Sequence, residues 1–140
     1  MTKNKREKGK LDNFEVLRKE NDFDLVLKNG QSLVSKDKKL RVKYYLRNNT
    51  ESNKVKAAIS VGSDKGNSVW RNRIKRIIRE SIRQEKETLL NIAKQKNAEL
   101  LLIFSPYTIN QNKFNKISFK DFSEAISNIL NGLKESVSLQ

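Results

Sequence analysis

Apolar positions along the 140-residue chain recur with two different periods. From Lys39 to Arg47 they alternate: Leu40, Val42, Tyr44 and Leu46 fall on one face, Arg41, Lys43, Tyr45 and Arg47 on the other. Period two predicts a strand with one buried face and one basic face. Lys54 to Val61 alternates likewise, with Val55, Ala57, Ile59 and Val61 in phase, and Gln31 to Lys36 is a shorter strand candidate. Leu100 to Phe104 is an unbroken apolar run. The strand predicted over Glu99 to Phe104 is therefore buried on both faces, and Ser105-Pro106 ends it. Helical spacing governs the remainder. Phe14, Val16, Leu17, Phe23, Val26 and Leu27 predict a first helix within Asn13 to Lys28. Asn29-Gly30 stops it, with Gly30 as a left-handed cap. A long helix is predicted from about Val69 to about Gln95, broken near Asn91. The last helix starts at Ser118, with Asp121 at capping-box spacing. Its stripe is Phe119, Phe122, Ala125, Ile126, Ile129, Leu130 and Leu133.

The resulting order, α-β-β-β-α-β-α, predicts a small α+β domain around one four-stranded sheet. Residues 11–133 form that domain. Residues 1–10 are a basic tail without an apolar residue after Met1, expected to be disordered when free, and 134–140 are a C-terminal tail.

Charge changes the picture. The chain has 30 Lys+Arg against 16 Asp+Glu, a net charge of +14. Residues 1–96 hold 26 of the bases and 12 of the acids, so the last 44 residues, with four of each, are neutral. A localised excess of this size calls for an acidic partner, and nucleic acid is the commonest. The chain has no Cys and no His. Disulfides, thiolate chemistry, histidine metal sites and histidine general bases are thereby excluded. The five-residue apolar run Leu100 to Phe104 is far short of a spanning helix. The N-terminus lacks the apolar core of a signal peptide, so a cytoplasmic protein without a membrane partner is expected.

The segment from Lys65 to Lys86 carries eight bases and two acids. On a helical projection Trp70, Ile74, Ile77, Ile78, Ser81 and Ile82 share one arc. Asn72, Lys75, Arg76, Arg79, Arg83 and Lys86 share the opposite arc, and Arg71 and Arg73 flank the apolar stripe. One face packs on the sheet and the other presents a comb of cations without the i,i+4 acids of a merely solvated face. Arginine forks suit phosphate. Gly66 and Asn67 allow a tight turn and are expected to leave N–H groups open at the positive helix end. A basic helix alone fits DNA, RNA or an acidic membrane surface equally.

The run Gly66-Asn67-Ser68-Val69-Trp70-Arg71-Asn72-Arg73-Ile74-Lys75-Arg76-Ile77-Ile78-Arg79-Glu80 resembles the signature that opens the long helix of the bacterial ribonuclease P protein family. Leu17-Arg18-Lys19 with Asp22-Phe23 and Gly30 is similar to the family's N-terminal segment and first helix. Ala58-Ile59-Ser60-Val61 and Leu101-Leu102-Ile103-Phe104 resemble its third and fourth strands, and Ser118 to Leu130 its last helix. The resemblance covers about residues 11–133. It implies the family's α+β fold, shared with the second domain of a small-subunit ribosomal protein, with a left-handed βαβ crossover. It also implies a non-catalytic protein subunit of an endoribonuclease ribonucleoprotein. The catalytic RNA subunit, holding Mg²⁺, removes the 5′ leader of precursor tRNA, with one protein per RNA. Gly66, Asn67, Arg71, Asn72, Arg73, Lys75, Arg76 and Arg79 would face the catalytic RNA. Phe23, Leu27, Arg41, Lys43, Lys65 and Tyr44 or Tyr45 would bind the leader, where rings on a basic groove suit unpaired bases. From the stripe alone Phe23 and Tyr44 read as ordinary core, and only the family resemblance lifts them to the leader surface. The sequence departs from the family in three places. Gly62-Ser63-Asp64 replaces Ser-Lys-Lys, Leu27 replaces a second aromatic, and Lys36 to Lys39 carries an insertion.

Other classes compete with this reading. A structural RNA-binding protein of the ribosomal kind would share the charge pattern, but not the Arg-Asn-Arg run in its glycine-loop context. A DNA-binding regulator would need a shorter helix free of a sheet. A membrane-surface helix would need the apolar face that the core uses. Asp22 and Asp24 lie on different helix sides, so no carboxylate pair is set for two-metal hydrolysis.

Overall fold

The structure is a computed structural model that describes residues 14–48 and 53–138. The tail 1–10 and residues 11–13, 49–52 and 139–140 lie outside the described residues; residues 134–138, expected as tail, continue the last helix and bury Val137. The elements are β1 (Phe14–Val16), α1 (Glu20–Asn29), β2 (Gln31–Val34), β3 (Leu40–Arg47), β4 (Val55–Ile59), a 3₁₀ turn (Ser63–Lys65), α2 (Ser68–Gln84), α3 (Lys86–Lys96), β5 (Glu99–Pro106) and α4 (Phe119–Ser138).

The α+β class holds, but the sheet has five strands in the order β1-β4-β5-β3-β2. The extra strand comes from the N-terminal part of the expected first helix. Phe14, Glu15 and Val16 pair in parallel with Val55, Lys56 and Ala57. In a segment this short, Phe14 and Val16 satisfy period two as well as a helical stripe, and the free β4 edge decides between them. The helix proper starts six residues after Phe14, at Glu20.

Central β5 pairs with β3 antiparallel and with β4 parallel. It extends through Pro106, opposite Leu40, and so outlasts the stop expected at Ser105-Pro106. Both of its faces are buried. Leu100, Leu102 and Phe104 enter the main core with Val42, Tyr44, Ile74, Ile78 and the α4 stripe. Leu101 and Ile103 enter a smaller core with Leu17, Val26 and Ala58 under α1. Helices α2, α3 and α4 thus cover one face, and the ten-residue α1 covers part of the other.

The basic helix ends at Glu85 rather than near Asn91, with φ −105° and ψ 15°. The stripe Ile74, Ile78, Ile82 would next require an apolar residue at 85 or 86, and finds Glu85 and Lys86 there. Leu89, Ile92 and Ala93 resume burial in α3. Gly30 is not left-handed: its φ is −76° and its ψ 159°. Its small size is what the turn needs. A Cβ there would strike the Val26 carbonyl oxygen and lie 2.9 Å from that of Tyr44. The cap expected at Ser118 forms, as the Ser118 N–H donates to Asp121 Oδ2 at 2.7 Å. Phe119, assigned to the α4 stripe, is 37% exposed. The Lys36–Lys39 insertion lies in the β2–β3 turn. There Lys38 has φ 61° and Asp37 Oδ1 accepts from Ser35 Oγ and the Lys39 N–H. The extra residues lengthen a turn and leave the strands in register.

One polar cluster fixes α1 to the sheet. Arg47 donates to Asp22 Oδ1 of α1 at 2.9 Å and to Glu99 Oε1 of β5 at 2.7 Å. Lys56 Nζ stands 3.7 Å from Asp22 Oδ2. Asp22 and Glu99 are both buried. The hydrogen bond from Arg47 holds the Asp22 carboxyl below the ordinary aspartate range. A depressed carboxylate contributes stability above its unfolded-state pKa, near 4, and loses it as pH falls through the lower folded value. Asp22→Asn should cost about 1–3 kcal/mol at neutral pH. It should also flatten the fall in melting temperature between pH 5 and pH 2, and equal acid slopes in both proteins would contradict this.

Candidate nucleic-acid interface

Two basic surfaces emerge, one on each side of the sheet. The first is the outer face of α2. Asn67 caps the helix: its Oδ1 accepts from the Trp70 N–H at 2.9 Å. Its own N–H donates to Gln111 Oε1 at 2.9 Å, so it is not one of the open donors expected at this end. Gly66 is extended, and a Cβ on it would lie 2.7 Å from the Trp70 ring and 2.9 Å from Gln111. The glycine lets Trp70 seat, and the Trp70 indole N–H donates to the Phe114 carbonyl at 2.9 Å. Trp70, Ile74 and Ile78 are then buried, which turns Asn72, Arg73, Arg76 and Arg79 to solvent, with Arg71 and Lys75 half-exposed. Arg71 donates to the Gly66 carbonyl and Arg73 to that of Ile117. Backbone carbonyls orient these guanidinium groups without neutralising them. Among the described residues no carboxylate lies within 4.0 Å of any cation of this comb from Arg71 to Arg79.

The second surface is a cleft of about 410 Å³ beside α1, on the opposite side of the sheet. It collects Leu27, Arg41, Lys43 and Lys65, four of the six residues the sequence placed at the leader. Ile103 and Ser105 of β5 form its floor, and Ser60, Gly62, Pro106 and Tyr107 complete it. Lys43 Nζ donates to the Leu27 carbonyl at 3.3 Å and Lys65 Nζ to that of Tyr107 at 3.1 Å. Arg41 Cζ sits 5.5 Å from the centre of the Tyr107 ring. Three cations with no acid in the lining make the cleft an anion site with an aromatic wall.

Tyr44 is not part of it. It points to the other face, is 2% exposed and sits in the main core, where its hydroxyl donates to Gln31 Oε1 at 2.8 Å. Strand alternation decides this: Arg41, Lys43 and Tyr45 share the α1 side. Phe23 lies apart from the cleft. It packs half-buried on the small core and lines a groove beside β1 instead. The ring that the cleft contains is Tyr107, 42% exposed, in a segment that reads as loop from the sequence. The signal was present, because Leu101, Ile103, Ser105 and Tyr107 continue one alternation past Pro106.

The Ribonuclease P family profile matches residues 11–134. The chain belongs to the bacterial ribonuclease P protein family. It is similar to the ribonuclease P protein component of Macrococcus caseolyticus, 36% identical over 89 residues, spanning 60% of this chain and 74% of the relative. That of Clostridium botulinum strain Loch Maree is 33% identical over 114 residues, spanning 81% and 89%. Two solved structures share the fold. The Staphylococcus aureus RNase P protein has a TM-score of 0.63 at 24% identity, over 84% of this chain and 94% of that one. The Thermotoga maritima protein has 0.62 at 23%, over 82% and 94%. The chain is thus the protein component of the ribonucleoprotein endoribonuclease that matures tRNA 5′ ends, and family membership implies association with the RNase P RNA.

An RNase P protein with this geometry should separate Tyr44 from Tyr107 by stability. Tyr44→Ala should lose about 3–5 kcal/mol, as a large core ring does. Tyr107→Ala should stay within about 0.5 kcal/mol, as exposed sites do. Urea unfolding of both variants checks the pair, and a stable Tyr44→Ala protein would return that ring to the cleft.

Proposed function

We propose that the α2 comb holds the RNase P RNA and that the α1-side cleft holds the single-stranded 5′ leader of precursor tRNA. The observation that carries this reading is the placement of two uncompensated cation sets on opposite sides of one sheet. Arg71, Asn72, Arg73, Lys75, Arg76 and Arg79, set on a helix capped through Gly66 and Asn67, face an extended phosphate surface. Arg41, Lys43 and Lys65 line a cleft large enough for a nucleotide. Tyr107 supplies the stacking ring there in place of the aromatic absent at Leu27, with Arg41 against its face. The β4–α2 loop, which carries Gly62 and Lys65, runs from the cleft to the start of α2 and so connects the two RNA partners. Asp64, where relatives of this type carry a cation, is exposed on that loop and weakens the junction without entering the cleft.

Hydrolysis falls to the RNA in this reading. Among the described residues no group of three or more acids, His or Cys is placed to hold a metal. The buried carboxylates Asp22 and Glu99 are already matched by Arg47 and Lys56. Mg²⁺ is accordingly assigned to the RNA in this reading. No helix among the described residues is long and apolar enough to cross a membrane. A subunit that acts on newly made tRNA belongs in the bacterial cytoplasm, one copy per RNA.

Two measurements test the division. Replacing Arg73 and Arg76 together by Ala should weaken RNase P RNA binding. The slope of log K against log salt should fall by roughly 0.7–0.9 for each phosphate the variant no longer neutralises. An unchanged slope in a folded variant would remove α2 from the RNA interface. Tyr107→Ala in the assembled holoenzyme should weaken precursor tRNA by about 1–3 kcal/mol and spare mature tRNA. Equal losses for both tRNAs would refute the cleft as the leader site.

A further inference from the structure

A second groove, of about 480 Å³, lies between β1 and α2 and shares only Lys75 and Arg79 with the surfaces above. Its floor is apolar: Phe14 and Val16 of β1, Ile59 of β4 and Ile82 of α2. Val16 is 59% exposed, an unusual position for a valine beside a core. Its wall is a file of cations, Lys75, Arg79 and Arg83 along one flank of α2 and Lys86 at the start of α3. Steps of four residues keep Lys75, Arg79 and Arg83 on one flank, about 6 Å apart, and Lys86 follows just past the break at Glu85. Only Arg83 has a carboxylate partner among the described residues, the exposed Glu80 at 2.9 Å. Glu15, across the groove, is held by Lys54 at 2.9 Å. Phe23 closes the end nearest α1.

The occupant must be flat and apolar on one side and anionic on the other. A second copy of this chain would set the same cation file against itself. The chain's own first ten residues carry five bases and one acid and meet the same repulsion. An unpaired nucleotide satisfies both demands, since base faces stack on apolar side chains and phosphates pair with the file. We propose that the groove receives one unstacked base of an RNA strand whose backbone runs along Lys75, Arg79, Arg83 and Lys86. Arg83 and Lys86 thereby join the RNA-binding residues. The inference rests on RNA binding by the α2 face and adds to it a site that recognises unpaired RNA.

The test is an amide NMR titration of the full chain with an unpaired RNA hexanucleotide, read at each site separately. Amides of Val16 and Ile59 should shift and saturate. Val16→Glu, a surface change that sets a carboxylate on the floor, should weaken that site about tenfold. The dissociation constant read at Lys65 and Tyr107, in the cleft, should stay within about twofold. Arg83→Gln with Lys86→Gln, both on the helix surface, should weaken the groove in the same direction if Val16→Glu lowers the melting temperature. A 12-base-pair RNA duplex should leave the floor amides unmoved. Floor amides that ignore the hexanucleotide while the cleft responds would overturn the groove and leave the cleft standing. A hexaglutamate peptide that moves the floor amides as far as RNA would overturn it too, by showing that charge alone fills the site.

Discussion

Burial of β5 on both faces is the constraint on which the rest of the architecture depends. A strand with Leu at 100, 101 and 102 and Ile103 and Phe104 after them cannot leave either face to water. One face receives three helices, and the other receives only α1, ten residues long. Such a helix spans about 15 Å, less than the length of the eight-residue strands β3 and β5 beneath it. The uncovered end of that face is the cleft. It is lined by side chains that alternation forces outward there: Arg41 and Lys43 from β3, and Ser105 and Tyr107 continuing β5. The cleft is the direct consequence of unequal coverage.

Holding α1 at one end of the sheet is the task of Arg47. Its guanidinium bridges Asp22 on the helix and Glu99 on the central strand. Without it the buried Asp22 would face only Lys56, at 3.7 Å, so the bridge is a condition for packing an acidic helix start over a strand. The same arrangement removes both carboxylates from any metal chemistry. The exposed ring of the cleft comes from the segment after β5, and the β2–β3 turn lies beside that segment, with the Tyr107 N–H donating to the Lys39 carbonyl.

The cation pattern has a consistent physical logic. The two buried acids, Asp22 and Glu99, are paired with Arg47, and Asp121 caps the last helix. The bases of α2 and the cleft are oriented mostly by backbone carbonyls and a ring. Carbonyls direct a guanidinium or ammonium group without cancelling its charge, so the positive field stays available to phosphate. A chain without His or Cys that arranges its charges this way is built to position RNA.

The sequence by itself determined the α+β class, the doubly buried strand, the two-faced basic helix and the family, because each is written in local periodicity or in a contiguous run. It also supplied Leu27, Arg41, Lys43 and Lys65, which the fold gathers into one cleft. It misassigned Phe14–Val16, because three residues fit either period and only the free edge of β4, forty residues away, makes them a strand. It left Tyr44 and Tyr45 unresolved, although the alternation Leu40, Val42, Tyr44 already pointed to the core, since the family alignment competes with it across an insertion. The tertiary structure alone decided the Arg47 bridge between Asp22 and Glu99, the end of α2 at Glu85, and the convergence of Tyr107 on Arg41. Each of these joins positions far apart in the chain or depends on which neighbour fills a gap, and periodicity, being local, carries no information about distance across the fold.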